Sequence, residues 1–137
     1  MKLSRNAMWG VFWTFVLAAL YFNWHNDMFS TATPFAGGKF ILWLTFLGFT
    51  GYSYYCSLRE NLFKTMGIMA GLHWGRQIGI DLYIGLGLSV FIICLHQGGW
   101  LVASLWLLPI LAFGNMATLL YFAIHFDSIL TYFGRQN

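Results

Sequence analysis

Four polar side chains stand close together at the front of a strongly apolar stretch. His73, Arg76, Gln77 and Asp81 all fall within "GLHWGRQIGIDLYIG", Gly71 to Gly85. An imidazole beside a carboxyl is the raw material of acid–base work, of proton handling, or of a polar ligand contact. Residues four apart share one helix face. His73, Gln77 and Asp81 therefore form one stripe, continued by Gly85. Each step drifts by about 40° at 3.6 residues per turn, so the stripe covers about a third of the circumference. Arg76 falls off it and is expected to snorkel toward headgroups. An Asp near the centre of a membrane helix costs about 2.5–3.5 kcal/mol, so Asp81 is expected to face protein or water. The leading reading is a polar clamp between helices. A ligand site and a proton or ion path are the others.

A matching stripe follows downstream in Ser104, Asn115, Thr118 and His125. The tight "HQGG" turn makes the two stretches antiparallel neighbours. Counting inward from it puts Asp81 at a depth between Asn115 and Thr118, so Asp81 is expected to accept a hydrogen bond from one of them. His73 and His125 are expected on the same side and within reach of each other, while His25 and His96 lie on the other. No metal ligand set is assigned, because no HExxH or paired i, i+4 set occurs. No catalytic residue is assigned either: there is no GxSxG, no CxxC and no Gly-rich phosphate loop. Thr45, Gly48, Tyr52, Tyr55 and Arg59 repeat at spacings of three and four, which makes a face able to present phenols inward or simply to pack.

The elements that must position these groups follow from composition. The chain is 59% hydrophobic, 20% aromatic and 8% charged, with mean hydropathy +0.67. Soluble domains carry about 25% charged residues. The expected class is an all-α membrane protein, a single four-helix transmembrane bundle. Each span needs roughly 20 apolar residues, and four segments qualify: about 7–24, 40–57, 77–95 and 100–124. Apolar residues before the third extend back to Ile68, so its start is open between 68 and 77. Pro34 and the Gly37-Gly38 pair break the first connection. "MKLSR" and the long aromatic run after it read as a retained first span, not a cleaved signal. Leu62, Phe63, Met66 and Met69 share a face, which suggests a short interfacial helix or an extension of the third span.

Lys2, Arg5, Arg59, Lys64, Arg76 and Arg135 fall on one side of this arrangement and only Lys39 on the other. The positive-inside rule then makes both chain ends cytoplasmic, most naturally in a bacterial inner membrane. Trp9, Trp24, Trp74, Arg76 and Trp100 are expected to anchor the interfaces. Cys56 and Cys94 are expected at opposite faces, about 25–30 Å apart, far beyond the roughly 7 Å a disulfide spans. No basic run interleaved with aromatics suggests nucleic acid.

At "DLYIG" (Asp81 to Gly85) and "LPILAFGNMATLLY" (Leu108 to Tyr121) the chain resembles the small four-helix membrane proteins associated with neoxanthin synthesis and their bacterial relatives. Pro109, Phe113, Gly114 and Leu119-Leu120-Tyr121 carry the second part of the match. Asn115 departs from it where that family has proline, and Arg76 where a histidine is expected. The resemblance implies an isoprenoid or carotenoid context. Three functions follow as expectations. The first is a non-catalytic accessory subunit, or a holder of lipid or pigment, partnered by membrane lipids and by other subunits or further copies of itself. The second is an isoprenoid- or carotenoid-modifying membrane enzyme using Asp81 with His73. The third is a proton-coupled transporter formed by a homo-oligomer.

Overall fold

A computed structural model describes residues 5–25, 27–33 and 35–135. Lys2 and Pro34, used above for orientation and as a breaker, lie outside them. The described residues are all-α: seven helices and no strand. They are α1 (Arg5–Phe22), α2 (Ala36–Arg59), α3 (Leu62–Gly71), α4 (His73–Gln97), α5 (Trp100–Phe113), α6 (Asn115–Ile124) and α7 (Phe126–Gly134).

Three of the expected spans fall on α1, α2 and α4. Only α4 is by itself long and apolar enough to cross a membrane, with 25 residues and a mean hydropathy of 2.2 in its best window. Helices α6 and α7 pass the same test only as a pair, bent by 71°. Helix α1 falls short because its 18 residues include Arg5 and Asn6. Helix α2 carries Lys39, Arg59 and several Gly, Ser and Thr residues. The helix of the third expected span, α4, begins at His73, between the two starts considered. The chain before it is the separate helix α3, capped by the Asn61 side chain, which accepts from the Lys64 backbone N–H at 3.1 Å. Gly75 permits that joint: a Cβ there would meet the Met69 carbonyl oxygen at 2.0 Å.

The fourth expected span, 100–124, is not one helix. It turns back on itself at Gly114. Trp106 and Tyr121 have ring centroids 4.9 Å apart, and Trp106 and His125 6.4 Å. Fifteen residues of one straight helix would separate the first pair by about 22 Å. Helix α5 therefore runs inward, reverses, and α6 returns beside it. Gly114 has φ 56° and ψ −132°, close to the first central residue of a type II′ turn, which glycine dominates. Its carbonyl accepts from the N–H groups of Ala117 and Thr118 at 3.2 and 3.3 Å.

The returning helix fills the middle of the fold. Ala117, Leu120, Tyr121 and Ala123 of α6 are fully buried. Phe12 and Val16 of α1, Phe46 of α2, Ile93 of α4, and Trp106 and Ile110 of α5 complete the core. The small Ala117 and Ala123 leave room for close helix approach.

The return also corrects the expected topology. Near the amino end, Trp9 Nε1 donates to Ser57 Oγ at 2.9 Å, which sets the start of α1 beside the end of α2. Near the carboxyl end, Asp127 pairs with Lys39 and the Phe126 ring lies against Gly38, both at the start of α2. The two described chain ends thus lie at opposite ends of the bundle, not on one side. The turn at Gly114 reverses the last sixth of the chain.

Candidate functional site

The polar residues that the fold brings together lie where α4 ends, α2 begins and α7 crosses over. Lys39 is the most deeply buried charge, 3% exposed. Its ammonium has three N–H donors, and all three are used. They go to the Asp27 carbonyl at 2.8 Å, to the Ser30 carbonyl at 3.1 Å, and to Asp127 Oδ2. The loop between α1 and α2 is thereby tied to α7. Trp43 Nε1 reinforces it by donating to the Met28 carbonyl at 3.4 Å. Asp127 lies in the first turn of α7, where the helix dipole favours an anion. Its other oxygen, Oδ1, is buried without a hydrogen-bond partner, as are the hydroxyls of Thr33 and Thr50.

Next to this pair runs a chain of hydrogen bonds. Gln97 Nε2 donates to the Tyr121 hydroxyl at 2.9 Å. That hydroxyl lies 2.6 Å from His96 Nδ1, and His96 Nε2 lies 2.7 Å from Ser128 Oγ. Neutral imidazole has one donor and one acceptor nitrogen, so His96 accepts from one of these two hydroxyls and donates to the other. The chain Gln97–Tyr121–His96–Ser128 is a latch from the core to α7. His125, 7% exposed, packs its ring against those of Tyr121 and His96, with centroids 4.5 and 5.6 Å away.

The stripe expected to carry the site lies elsewhere. His73, Gln77 and Asp81 are all exposed. The inward face of α4 is set by Leu86 and Ile93. Asp81 stands five residues before Leu86, about 140° around the helix. It points away from α5 and α6. The expected bond to Asn115 or Thr118 is not formed. Asn115 is exposed, and the buried Thr118 hydroxyl turns to the Gly114 carbonyl at 3.5 Å. His73 Nδ1 instead lies 2.9 Å from Arg76 Nη2. His73 and His125 do not meet either. His125 sits beside His96, 23 residues along α4 from His73, or about 34 Å. Among the described residues no three His, Cys, Asp or Glu side chains converge to hold a metal.

Of the expected interface anchors, Trp24, Trp74, Trp100 and Arg76 are exposed, but Trp9 is buried in the core and bonded to Ser57. The tyrosine face of α2 also turns outward, where Tyr52 and Tyr55 stack and Arg59 covers Tyr55 at 5.3 Å. Both cysteines are free thiols.

The Lys39–Asp127 pair is not deduced from the sequence, yet two signals point to it. Lys39 was the one basic residue on the wrong side of the charge count, and Asp127 was the acid available to neutralise it. Tyr121 carried no such signal, because its partners depend on the reversal at Gly114. Comparison with protein families, curated proteins and solved structures finds no match to this chain.

Proposed function

We propose that this chain is an integral membrane protein and acts as a non-catalytic subunit of a membrane assembly, holding partner helices, lipid or a flat apolar pigment on its outer faces. The observation that carries the reading is α4. It is 25 residues long with mean hydropathy 2.2, yet only 11% of that apolar window is buried within the chain. A soluble core helix of this length would be buried, and a signal sequence would lie at the amino end. Apolar surface exposed at this scale marks a contact with membrane or protein. Ile84, Leu88 and Phe91 on α4, Leu44 on α2 and Leu105 and Leu108 on α5 are all more than half exposed.

In this reading α1, α2 and α4 cross the bilayer. The α5–α6 hairpin enters from the outer side and returns to it, and α7 lies at that outer surface. A re-entrant segment is tolerated where it is buried in protein, as α6 is. Arg5, Arg59, Lys64 and Arg76 remain on the amino-terminal side, which the positive-inside rule makes cytoplasmic. Lys39 and Arg135 fall on the other side, and Lys39 is neutralised by Asp127. The carboxyl end is then extracytoplasmic, in a bacterial inner membrane. His73 bonds to Arg76 rather than to Asp81, which weighs against the two acting as an acid–base pair.

Two measurements test the proposal. Washing membranes with alkaline carbonate should leave the protein in the pellet. Release into the supernatant would overturn the membrane reading. Mild detergent purification followed by mass spectrometry and absorbance should show a stoichiometric companion chain, lipid or chromophore. A protein that purifies bare, and whose Asp81→Asn variant abolishes turnover of an isoprenoid substrate, would overturn the non-catalytic reading in favour of the enzyme.

A further inference from the structure

We infer that the Asp81 face of α4 is the interface with a second copy of this chain, packed in parallel about a two-fold axis along the membrane normal. The inference rests on reading α4 as a membrane span. The midpoint of α4 is Gly85, so Asp81 lies about 6 Å from the middle of the helix and well inside a hydrocarbon layer of about 30 Å. Among the described residues it has no hydrogen-bond or ion-pair partner. An intramembrane carboxyl facing lipid is unfavourable, and such residues turn to a protein interior, to water or to one another. The fold of the single chain supplies none of these on that face.

The same face carries a packing seam. Gln77, Asp81, Ile84, Leu88, Phe91 and Leu95 are all exposed. They repeat at spacings of four and three, the period of a left-handed coiled coil. Any outward helix face has this spacing. What selects this one is that its two polar members sit one turn apart with complementary chemistry. Gln77 offers two N–H donors and Asp81 offers acceptors. In a parallel seam each knob inserts into a hole formed by four residues of the facing helix, which sets Asp81 of one helix beside Gln77 of the other. A two-fold axis makes each contact twice: Gln77 of one protomer with Asp81 of its partner, and the reverse. A polar residue at one seam position fixes register and copy number in such packing. A second copy therefore satisfies both groups with no third chemistry. Above them, the apolar half of the seam interdigitates.

The test uses the full chain in its membrane, with Cys56→Ser and Cys94→Ser removing the native thiols. Single cysteines are placed on the seam at Ile84, Leu88, Phe91 and Leu95. Two more, at Ile41 in α2 and Leu105 in α5, report exposed sites off the seam. Mild oxidation should give disulfide dimers at seam positions and little at Ile41 and Leu105, because a disulfide needs Cα atoms within about 7 Å. Absence of dimer at every seam position, or equal cross-linking at the two controls, would overturn the inference. Gln77→Leu should weaken the dimer by roughly eightfold, the value of two interhelical hydrogen bonds of average strength. Asp81→Asn, which can still accept from Gln77, should stay within about twofold of the parent. An unchanged dimer in Gln77→Leu would overturn the polar pairing. Carbonate extraction of each variant separates the two levels: a chain that leaves the membrane defeats the span reading, while one that stays embedded and monomeric defeats only the dimer.

Discussion

Two polar regions of this molecule show opposite habits. At the end where α2 begins, Lys39, Asp127, His96, Gln97, Tyr121 and Ser128 are drawn inward and bonded to one another. On the outer face of α4, Gln77 and Asp81 are exposed and, among the described residues, have no hydrogen-bond partner. In the first region every donor of Lys39 has an acceptor, though Asp127 Oδ1 is left without a partner. The second is incomplete as a monomer. A polar cluster that satisfies itself belongs to the fold, and one that does not belongs to an association. This contrast separates residues that should matter for stability from those that should matter for assembly.

The sharpest way to break the contrast is Lys39→Met. Removing one partner of a buried ion pair is expected to cost about 3–5 kcal/mol. It leaves Asp127 and two loop carbonyls stranded. Thermal or denaturant unfolding in detergent should show the loss, and a variant as stable as the parent would erase the distinction. Gly114→Ala comes next. A side chain at φ 56° and ψ −132° is expected to cost about 1–3 kcal/mol in backbone strain, read in the same unfolding assay and as loosened protection of α6 amides in hydrogen exchange. Tyr121→Phe should follow at about 1–3 kcal/mol, because Gln97 and His96 each lose a buried partner. Asp81→Asn should be smallest for the isolated monomer, within about 0.5 kcal/mol as for surface sites. A monomer that loses as much from Asp81→Asn as from Tyr121→Phe would show that Asp81 has a partner within the fold.

Much of the architecture was legible because it depends on long apolar runs and breakers. The helical class, the positions of α1, α2 and α4 and the hairpin at Gly98-Gly99 all follow from them, while the stretch Leu62–Gly71 reads equally as a short helix or as an extension of the third span. The last third was not legible. A run from Trp100 to Ile124 with one glycine in it reads as a single span by any count of hydropathy. Whether Gly114 continues a helix or reverses it depends on what lies on either side, and small residues at Ala117 and Ala123 fit both outcomes. The stripe of His73, Gln77 and Asp81 was correctly placed on one face of a helix by its spacing. Which way that face points is set by Leu86 and Ile93 docking under the hairpin, and that is tertiary information. Tyr121 and His96 came together for the same reason. Their distance in space is fixed by a turn that neither residue encodes.

The reversal at Gly114 also bears on how the protein is made. Its centre is occupied by α6, whose first residue is position 115 of 137. Synthesis proceeds from the amino end, so α1, α2 and α4 are complete before the segment they enclose has been translated. Until then the space between them has no occupant from this chain. Closure is then a late event, driven by threading an apolar hairpin back from one side and locking it with α7. A ribosome that stops before Ile124 would release a chain with its walls in place and nothing between them, which is the form a protease should find most readily.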